Sequence, residues 1–541
     1  MKSKACVRCS SDFHLTDKDE WFYNENKIPE PTRCPNCRAL RRYTWRNERV
    51  LYVRKCNGTG KTIMATFDEN VPFPVYDVPY WFSDAWDGRD YGRDFDFNRP
   101  FFEQFRELQN VVPQLARSVS GNENCDFTNQ AGWNKNCYLI FEANYSEDCY
   151  YSSYIQYAKD SVDCLRVRES QLCYESINME RCYNIKFSED CTSCSDSWFL
   201  KSCIGSRNCF GSVNLRNKEF YFFNEQCTPE QYERRLSEVG FGSENIEAGI
   251  KQEDIQKMRE QFYAFQLKFP HKYMVDRQTE NSTGSYILNS QNCEECFGIW
   301  NCQDCKFVVD SNNMKNVYDV TVFGADEGAE FCCDSHEIGA GCRNVYYSHQ
   351  ILGGHSIYYS STCFFNNTNI FGCSSLKRAN YCILNKQYTK EEYEELVPKI
   401  IEHMKKTGEW GEFFPMSLSP WDYNETLAQE YFPLSKEQVQ AMGLKWKDQK
   451  QLIPQEGAII CEVSGKPFKI IQQEAEFYKR FGLPTPLRHP DQRYTDRMAR
   501  TLPRHLWERP CDKCATQLQS PYSPERPEII YCDSCYLGEV Y

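Results

Sequence analysis

The stretch Cys137-Tyr-Leu-Ile, Cys149-Tyr-Tyr-Ser, Cys164-Leu-Arg-Val, Cys173-Tyr-Glu-Ser and Cys182-Tyr-Asn-Ile decides the fold. It belongs to a run from Cys125 through Cys137, Cys149, Cys164, Cys173, Cys182, Cys191, Cys203 and Cys209 to Cys227. Every successive gap in this run is a multiple of three, and Cys194 keeps the phase. Random placement rarely does this, whereas a repeating backbone unit does. The residues between are short apolar and polar runs broken by Asn, Asp, Ser and Gly, which predicts stacked strands joined by turns. Such units cannot bury a face alone and must stack. Residues 118–227 are therefore expected to form a β-solenoid, with cysteine as a small apolar filler along its inner wall. A linear metal–thiolate array is the competing reading, although most of these cysteines have no near partner in sequence.

The run closes with Phe210-Gly211 and Asn224-Glu-Gln226-Cys-Thr228-Pro-Glu230. Thr228 reads as a helix N-cap, Pro229 suits the first helical position, and Gln231 completes a capping box. Residues 228–280 are expected to hold capping helices, with Ile255, Met258, Phe262 and Phe265 at helical spacing. A second cysteine-rich stretch, 281–388, ends the same way. At a constant offset of 161, residues 371–394 match residues 210–233 at 9 of 24 positions, and Thr389-Lys-Glu-Glu392 repeats the capping box. The sequence thus predicts a solenoid with a capping helix, twice. In the second copy the phase holds for Cys293, Cys296, Cys302, Cys305 and Cys332, then slips at Cys333 and again by Cys373, as single-residue bulges would cause. Cys293-Glu-Glu-Cys296 and Cys302-Gln-Asp-Cys305 could hold a metal, or a coil could spread them along its wall.

Both ends of the chain carry paired cysteines. Cys6-Val-Arg-Cys9 with Cys34-Pro-Asn-Cys37, and Cys511-Asp-Lys-Cys514 with Cys532-Asp-Ser-Cys535, each offer four thiolates in two tight knuckles, the donor set of a tetrahedral structural Zn²⁺. Two structural zinc ions are expected, at residues 1–45 and 506–541. Residues 1–45 resemble the family called the probable zinc-ribbon domain through Cys6-x-x-Cys9, Phe13, Phe22-Tyr23, Pro31 and Arg33-Cys34-x-x-Cys37-Arg38, with Asp19 where that pattern has Glu. The resemblance implies zinc binding. At an offset of 455, residues 461–493 repeat the pattern at Cys461, Phe468, Phe477, Tyr478, Pro484, Pro486, Arg488, Pro490 and Arg493. Ser464, His489 and Gln492 replace three ligands, so 451–505 reads as a degenerate copy without stable zinc.

Residues 46–117 read as an aromatic, acidic linker with a short helix near Phe101–Leu108, and 389–450 as a capping helix with loops. Cys56-Asn-Gly-Thr-Gly-Lys61 lacks the first glycine of a phosphate loop and reads as a hairpin turn. The aspartates between Asp84 and Asp96 do not fit calcium-loop spacing. Arg38, Arg41, Arg42, Arg46 and Arg49, interleaved with Tyr43 and Trp45, either bind nucleic-acid phosphates or pair with the acidic remainder of the chain.

The 541 residues carry a net charge of −13, which disfavours general polyanion binding. Thirty-one cysteines without a signal-peptide core or a long apolar run suggest a reducing, cytoplasmic setting and no membrane. Three functions stay open: a zinc-binding, non-catalytic scaffold or interaction protein; an RNA- or DNA-binding protein; and a β-helix enzyme acting on polysaccharide. The last needs converging carboxylates or bases. His336, His349 and His355 gather only loosely, and isolated histidines in such folds are usually packed or exposed.

Overall fold

The computed structural model describes residues 2–448 and 456–541. The expected boundary between 450 and 451 lies outside them. The chain is mainly β, with strand residues outnumbering helical ones. Two long sheets dominate. Sheet I has twelve strands, from Val119–Ser120 to Glu225–Gln226, and sheet II has eleven, from Asp276–Arg277 to Lys386–Gln387. Within each, every strand pair is parallel except a closing antiparallel hairpin.

The register explains the three-residue phase. In sheet I each residue pairs with its counterpart one coil on: Phe141, Ser153, Leu165, Ile177 and Glu189 stand in one line. The backbone turns at every third residue through the left-handed region. Asn136, Leu139, Glu142, Tyr145, Asp148 and Tyr151 have φ between 51° and 54°. Four such steps complete one coil, which is why Phe141 returns above itself at Ser153. The residue after each turn points inward, so Cys137, Ile140, Ala143, Ser146 and Cys149 are all buried.

The inward polar groups are satisfied locally. The Cys149 thiol donates to the Glu147 carbonyl at 3.3 Å, as the Ser152 hydroxyl does to Tyr150 at 3.0 Å, and Ser152 also accepts from the Cys164 amide at 3.0 Å. Cysteine and serine thus fill the same station with the same hydrogen bond, leaving few buried polar groups unpaired. Burial raises the Cys164 thiol to about 12, so it stays protonated. Cys293, Cys296, Cys302 and Cys305 follow the same rule, donating to carbonyls two residues back at 3.3–3.4 Å. They lie in one core cluster with Ile287, Ile299 and Val308, spread over the corners of the coil, and make no metal-ligand cluster among the described residues.

The phase shifts in sheet II come from inserted residues. Tyr318 pairs with Cys333 and Cys333 with Tyr346, both steps longer than the regular coil of sheet I. Between Leu352 and Gly354 the register shifts again, and Gly354 pairs with Asn367. Cys332 continues the inner column, while Cys333 faces the outer aromatic cluster with Tyr318 and Tyr346. Cys333 is thus out of phase because it faces outward beside Cys332, and the inner phase itself first shifts at the step from Cys333 to Tyr346, which is not a multiple of three.

Helices Pro229–Glu238 and Lys390–Thr407 follow the closing hairpins of sheets I and II, each opened by its capping box, Thr228 with Gln231 and Thr389 with Glu392. Helix Gln252–Gln266 packs Ile255, Met258 and Phe262 inward. Residues 46–117 are not a linker. They contain a hairpin, Tyr52–Lys55 with Thr62–Ala65, and a small core of Cys56, Ile63, Phe67, Phe73, Val75 and Ala116.

The shared station predicts tolerance. Cys164→Ser retains the hydrogen bond and is expected to cost less than about 1.5 kcal/mol, whereas Cys164→Leu overfills a closed column at about 1–3 kcal/mol. Urea midpoints of the two variants check the order.

Candidate metal centres

The hairpin Lys2–Ala5 with Asp12–Leu15 carries Cys6 and Cys9 on its turn. Helix Pro35–Tyr43 supplies Cys34 as N-cap and Cys37 in its first turn. At the other end, hairpin Trp507–Pro510 with Gln517–Ser520 carries Cys511 and Cys514, and helix Asp533–Val540 brings Cys532 as N-cap and Cys535. In each set the four sulfurs lie within 4.8 Å of one another. Cys9 and Cys34 are 3.7 Å apart, and so are Cys514 and Cys532. Zinc–sulfur bonds of about 2.3 Å in a tetrahedron require edges of about 3.8 Å. Neither N-cap cysteine makes a side-chain cap bond, which leaves its sulfur for an ion.

The electrostatics ask for that ion. Burial works upward on Cys6, yet backbone amides of Cys34, Cys9 and Arg8 outweigh it and bring the thiol down to about 6. Burial and the neighbouring Cys37 push Cys34 up to about 12. Sulfurs this close cannot all ionise without a cation between them. Four thiolates close the coordination sphere, so an ion here holds structure and has no position for water.

With this geometry in view, one comparison is informative. The family described as Probable treble clef domain matches residues 2–44. No curated protein matches the chain. A ligand pair on a hairpin turn and another at a helix N-terminus is the arrangement of residues 2–44, and the C-terminal set repeats it.

The same backbone occurs twice more. After Cys6, Cys56, Cys461 and Cys511, the turn closes identically: each cysteine amide donates to the carbonyl five residues on (Ser11, Lys61, Lys466, Thr516), and its carbonyl accepts from the residue four on (Ser10, Gly60, Gly465, Ala515). The next residue's amide then reaches Thr32, Val75, Leu487 or Ile530, and two residues beyond each acceptor stands a helix N-cap: Cys34, Asp77, His489 or Cys532. Residues 56–77 and 461–489 thus share the backbone of the two cysteine sets without their full sets of ligands. Cys56 and Cys461 keep the first sulfur and accept amide hydrogen bonds at 3.4 Å from Thr59 and Ser464, which replace the second ligand. The third ligand has become a helix cap: Asp77 accepts from Val78 and His489 from Asp491. The clef around Cys56 was legible as Cys-x-x-Thr-Gly-Lys at 56–61, beside Cys-x-x-Ser-Gly-Lys at 461–466.

The arginines after the first clef do not face solvent. Arg38 binds Asp319 at 2.8 Å, and Arg42 binds Asp319 at 3.3 Å and Asp334 at 2.7 Å. Arg41 pairs with Asp334 and Glu412, and Arg46 with Glu48, Glu142 and Glu337. Arg49 lies over the Tyr494 ring at 3.7 Å. Arg38, Arg41, Arg42 and Arg46 are at most 5% exposed, so none of these four can reach a nucleic-acid phosphate. The acidic partners come from distant sequence, so of the two readings of the basic run it is pairing with the acidic remainder of the chain that describes these four. The eroded clef that begins at Cys461 docks on sheet I in the same way. Arg493, the counterpart of Arg38 in the repeated pattern, pairs with Asp163. Arg497, the counterpart of Arg42, pairs with Asp163 at 2.8 Å and Glu175 at 3.6 Å.

Of the three histidines, the structure joins two. His336 and His349 are register partners, and with Glu337 their ligand atoms lie within 4.8 Å of one another. Burial, with Arg46 and His349 nearby, holds His336 well below the usual imidazole range; burial lowers His349 to about 3. Both rings are neutral at physiological pH. His355 is exposed and stands apart beside Ser356.

Removing one partner from a buried pair leaves an uncompensated charge. Arg42→Ala and Arg497→Ala are each expected to destabilise the chain by about 3–5 kcal/mol, read from denaturant unfolding with the zinc content measured alongside.

Proposed function

We propose that this chain is a zinc-dependent, non-catalytic scaffold built from two duplicated β-solenoids, each carrying two treble-clef units. The domains proposed are 1–45, 46–117, 118–227, 228–280, 281–388, 389–450, 451–505 and 506–541, with the second now read as a clef and its docking helices. The observation that carries the reading is the correspondence of docking contacts. Following the register pairs back from Phe210 and Phe371 places Asp163 level with Asp319 and Glu175 level with Asp334. Those four carboxylates receive the equivalent arginines of two clefs. The other two clefs repeat the theme. Lys377 donates to the Trp81 carbonyl at 2.9 Å, and Arg216, its counterpart in the duplication, to the Tyr536 hydroxyl at 3.1 Å. Trp81 and Tyr536 each stand four residues after their helix N-cap.

All four clefs are spent on internal docking, which suits metal in a structural role. Each solenoid keeps one full cysteine set, so two zinc ions per chain are proposed. All 31 cysteines are unpaired, in keeping with a reducing, cytoplasmic compartment. No described helix is long and apolar enough to cross a membrane. The partner proposed is a protein. Trp133, Tyr145 and Tyr157 form an outward column stacked at 5.2 and 5.0 Å, each about half exposed, and the net charge of −13 disfavours a polyanion as the partner.

Metal analysis of the purified chain is expected to give two zinc per chain, one lost in Cys34→Ser and one in Cys532→Ser. Zero zinc would overturn the reading. A pull-down from the native host should retain a protein after RNase treatment and lose it with Trp133→Ala/Tyr157→Ala; capture that depends on RNA would reverse the choice of partner.

A further inference from the structure

Where the two sheets face each other, the polar interior is not fully satisfied. His336 is completely buried, and neither of its ring nitrogens has a hydrogen-bond partner. Leaving a buried polar group unpaired costs on the order of 1–3 kcal/mol. The fold does not require histidine here. The level station in sheet I is Ile177, paired with Glu189 as His336 is paired with His349. Sheet II has thus placed two imidazoles where sheet I manages with an isoleucine and a glutamate.

Carboxylates outnumber the guanidinium in the ion-pair cluster beside the two rings. Arg46 is the single guanidinium among three carboxylates, those of Glu48, Glu142 and Glu337. Glu337 is oriented from both sides: Gln350 donates to one oxygen at 3.3 Å, and Gln130 to the other at 3.3 Å. His349 is held through Nδ1, 3.2 Å from the Ser361 hydroxyl. Second contacts of this kind fix the orientation of metal-binding side chains. A cavity of about 30 Å³ lies against Arg46, Gln130, Glu337, His349 and Gln350. That is room for one ion and a small donor. Thr66, Phe67, Gln109, Pro420 and Trp421 line this cavity and also a surface cavity of about 330 Å³, so the two are neighbours.

We propose that His336, His349 and Glu337 form a third metal site, of a different kind from the two cysteine sets. Two imidazoles and a carboxylate suit a divalent first-row transition ion. Three protein ligands leave a coordination position for water or a small oxygen donor, and two of the three, Glu337 and His349, line the cavity. The site belongs to sheet II alone and does not depend on the scaffold reading.

Cobalt(II) is the probe. Added to the full chain after a mild chelator wash that leaves only the two cysteine-bound zinc ions, it is expected to bind at one equivalent and give visible d–d bands without the sulfur-to-cobalt charge transfer of a thiolate site. His336→Ile, which restores the residue of sheet I, should abolish the bands while two zinc ions remain. Gln350→Ala should weaken binding by about 10- to 100-fold. If His349→Ala misfolds, His336→Ile still decides, because its replacement is a residue the fold accepts at the level station. No cobalt bound, cobalt bound only with charge-transfer absorption, or equal binding by His336→Ile would each overturn the proposal.

Discussion

The parallel register between successive coils governs this molecule. It places each side chain above one of the same station, so chemistry is organised in columns. Left-handed backbone at every third residue makes the register possible, and for most residues that conformation is costly. Asn and Asp bear it best, and they line up as ladders: Asn124 donates to Asn136 at 2.9 Å, Asn178 to Asp190 at 2.8 Å, and Asn184 to Asp196 at 2.8 Å. Tyr145 and Tyr151 bear it without such bonds, held between the strands before and after. Inward stations hold mostly small or branched apolar side chains, and cysteine serves there as a small apolar filler.

The same register creates the carboxylate stations where clefs dock. Asp163 and Asp319 are almost completely buried, and each faces two guanidiniums. Such pairs add little net stability, since desolvation offsets attraction. Their contribution here is specificity. A wrongly placed clef would strand buried charges on both sides. The chain ends accordingly cross: the N-terminal clef docks on sheet II and the clef near Arg493 on sheet I. Arg46 then ties the sheets together through Glu142 and Glu337.

Much of this was legible in sequence, and what was missed has physical causes. Cysteine spacing announced the repeat because only the inner column tolerates so narrow a choice of residue. The capping boxes at Thr228 and Thr389 were legible because caps are local. The cysteine pairs at both ends were legible because a metal demands four donors. Pairing of Arg38 and Arg42 with acidic residues was one of two open readings, but their partners were not legible, because Asp319 and Asp334 lie in the other half of the chain. His336 and His349 become neighbours only through the register, since no local pattern marks their spacing in sequence. The unit at Cys56 was passed over because its Cys-x-x-Thr-Gly-Lys keeps one of four ligands and reads as an ordinary hairpin turn until it is set beside residues 461–466.

The eroded clefs clarify what the metal does. At the residue four after the first cysteine, all four turns adopt positive φ: Ser10 and Ala515 at 61°, Gly60 at 72° and Gly465 at 67°. Where four sulfurs remain, a side chain is tolerated in the left-handed region. Where they are gone, the position is glycine, which adopts that region freely. The third ligand changes in parallel, from a sulfur that caps nothing to Asp77 or His489, which caps its own helix. An ion that fixes turn and helix together can hold a strained residue. Without it the same path is kept by removing the strain and hydrogen-bonding the helix end. Docking did not have to change, because Arg493 and Arg497 anchor the eroded clef as Arg38 and Arg42 anchor the intact one. Metal and buried ion pair are thus separable supports: the first shapes a clef, and the second decides where it sits.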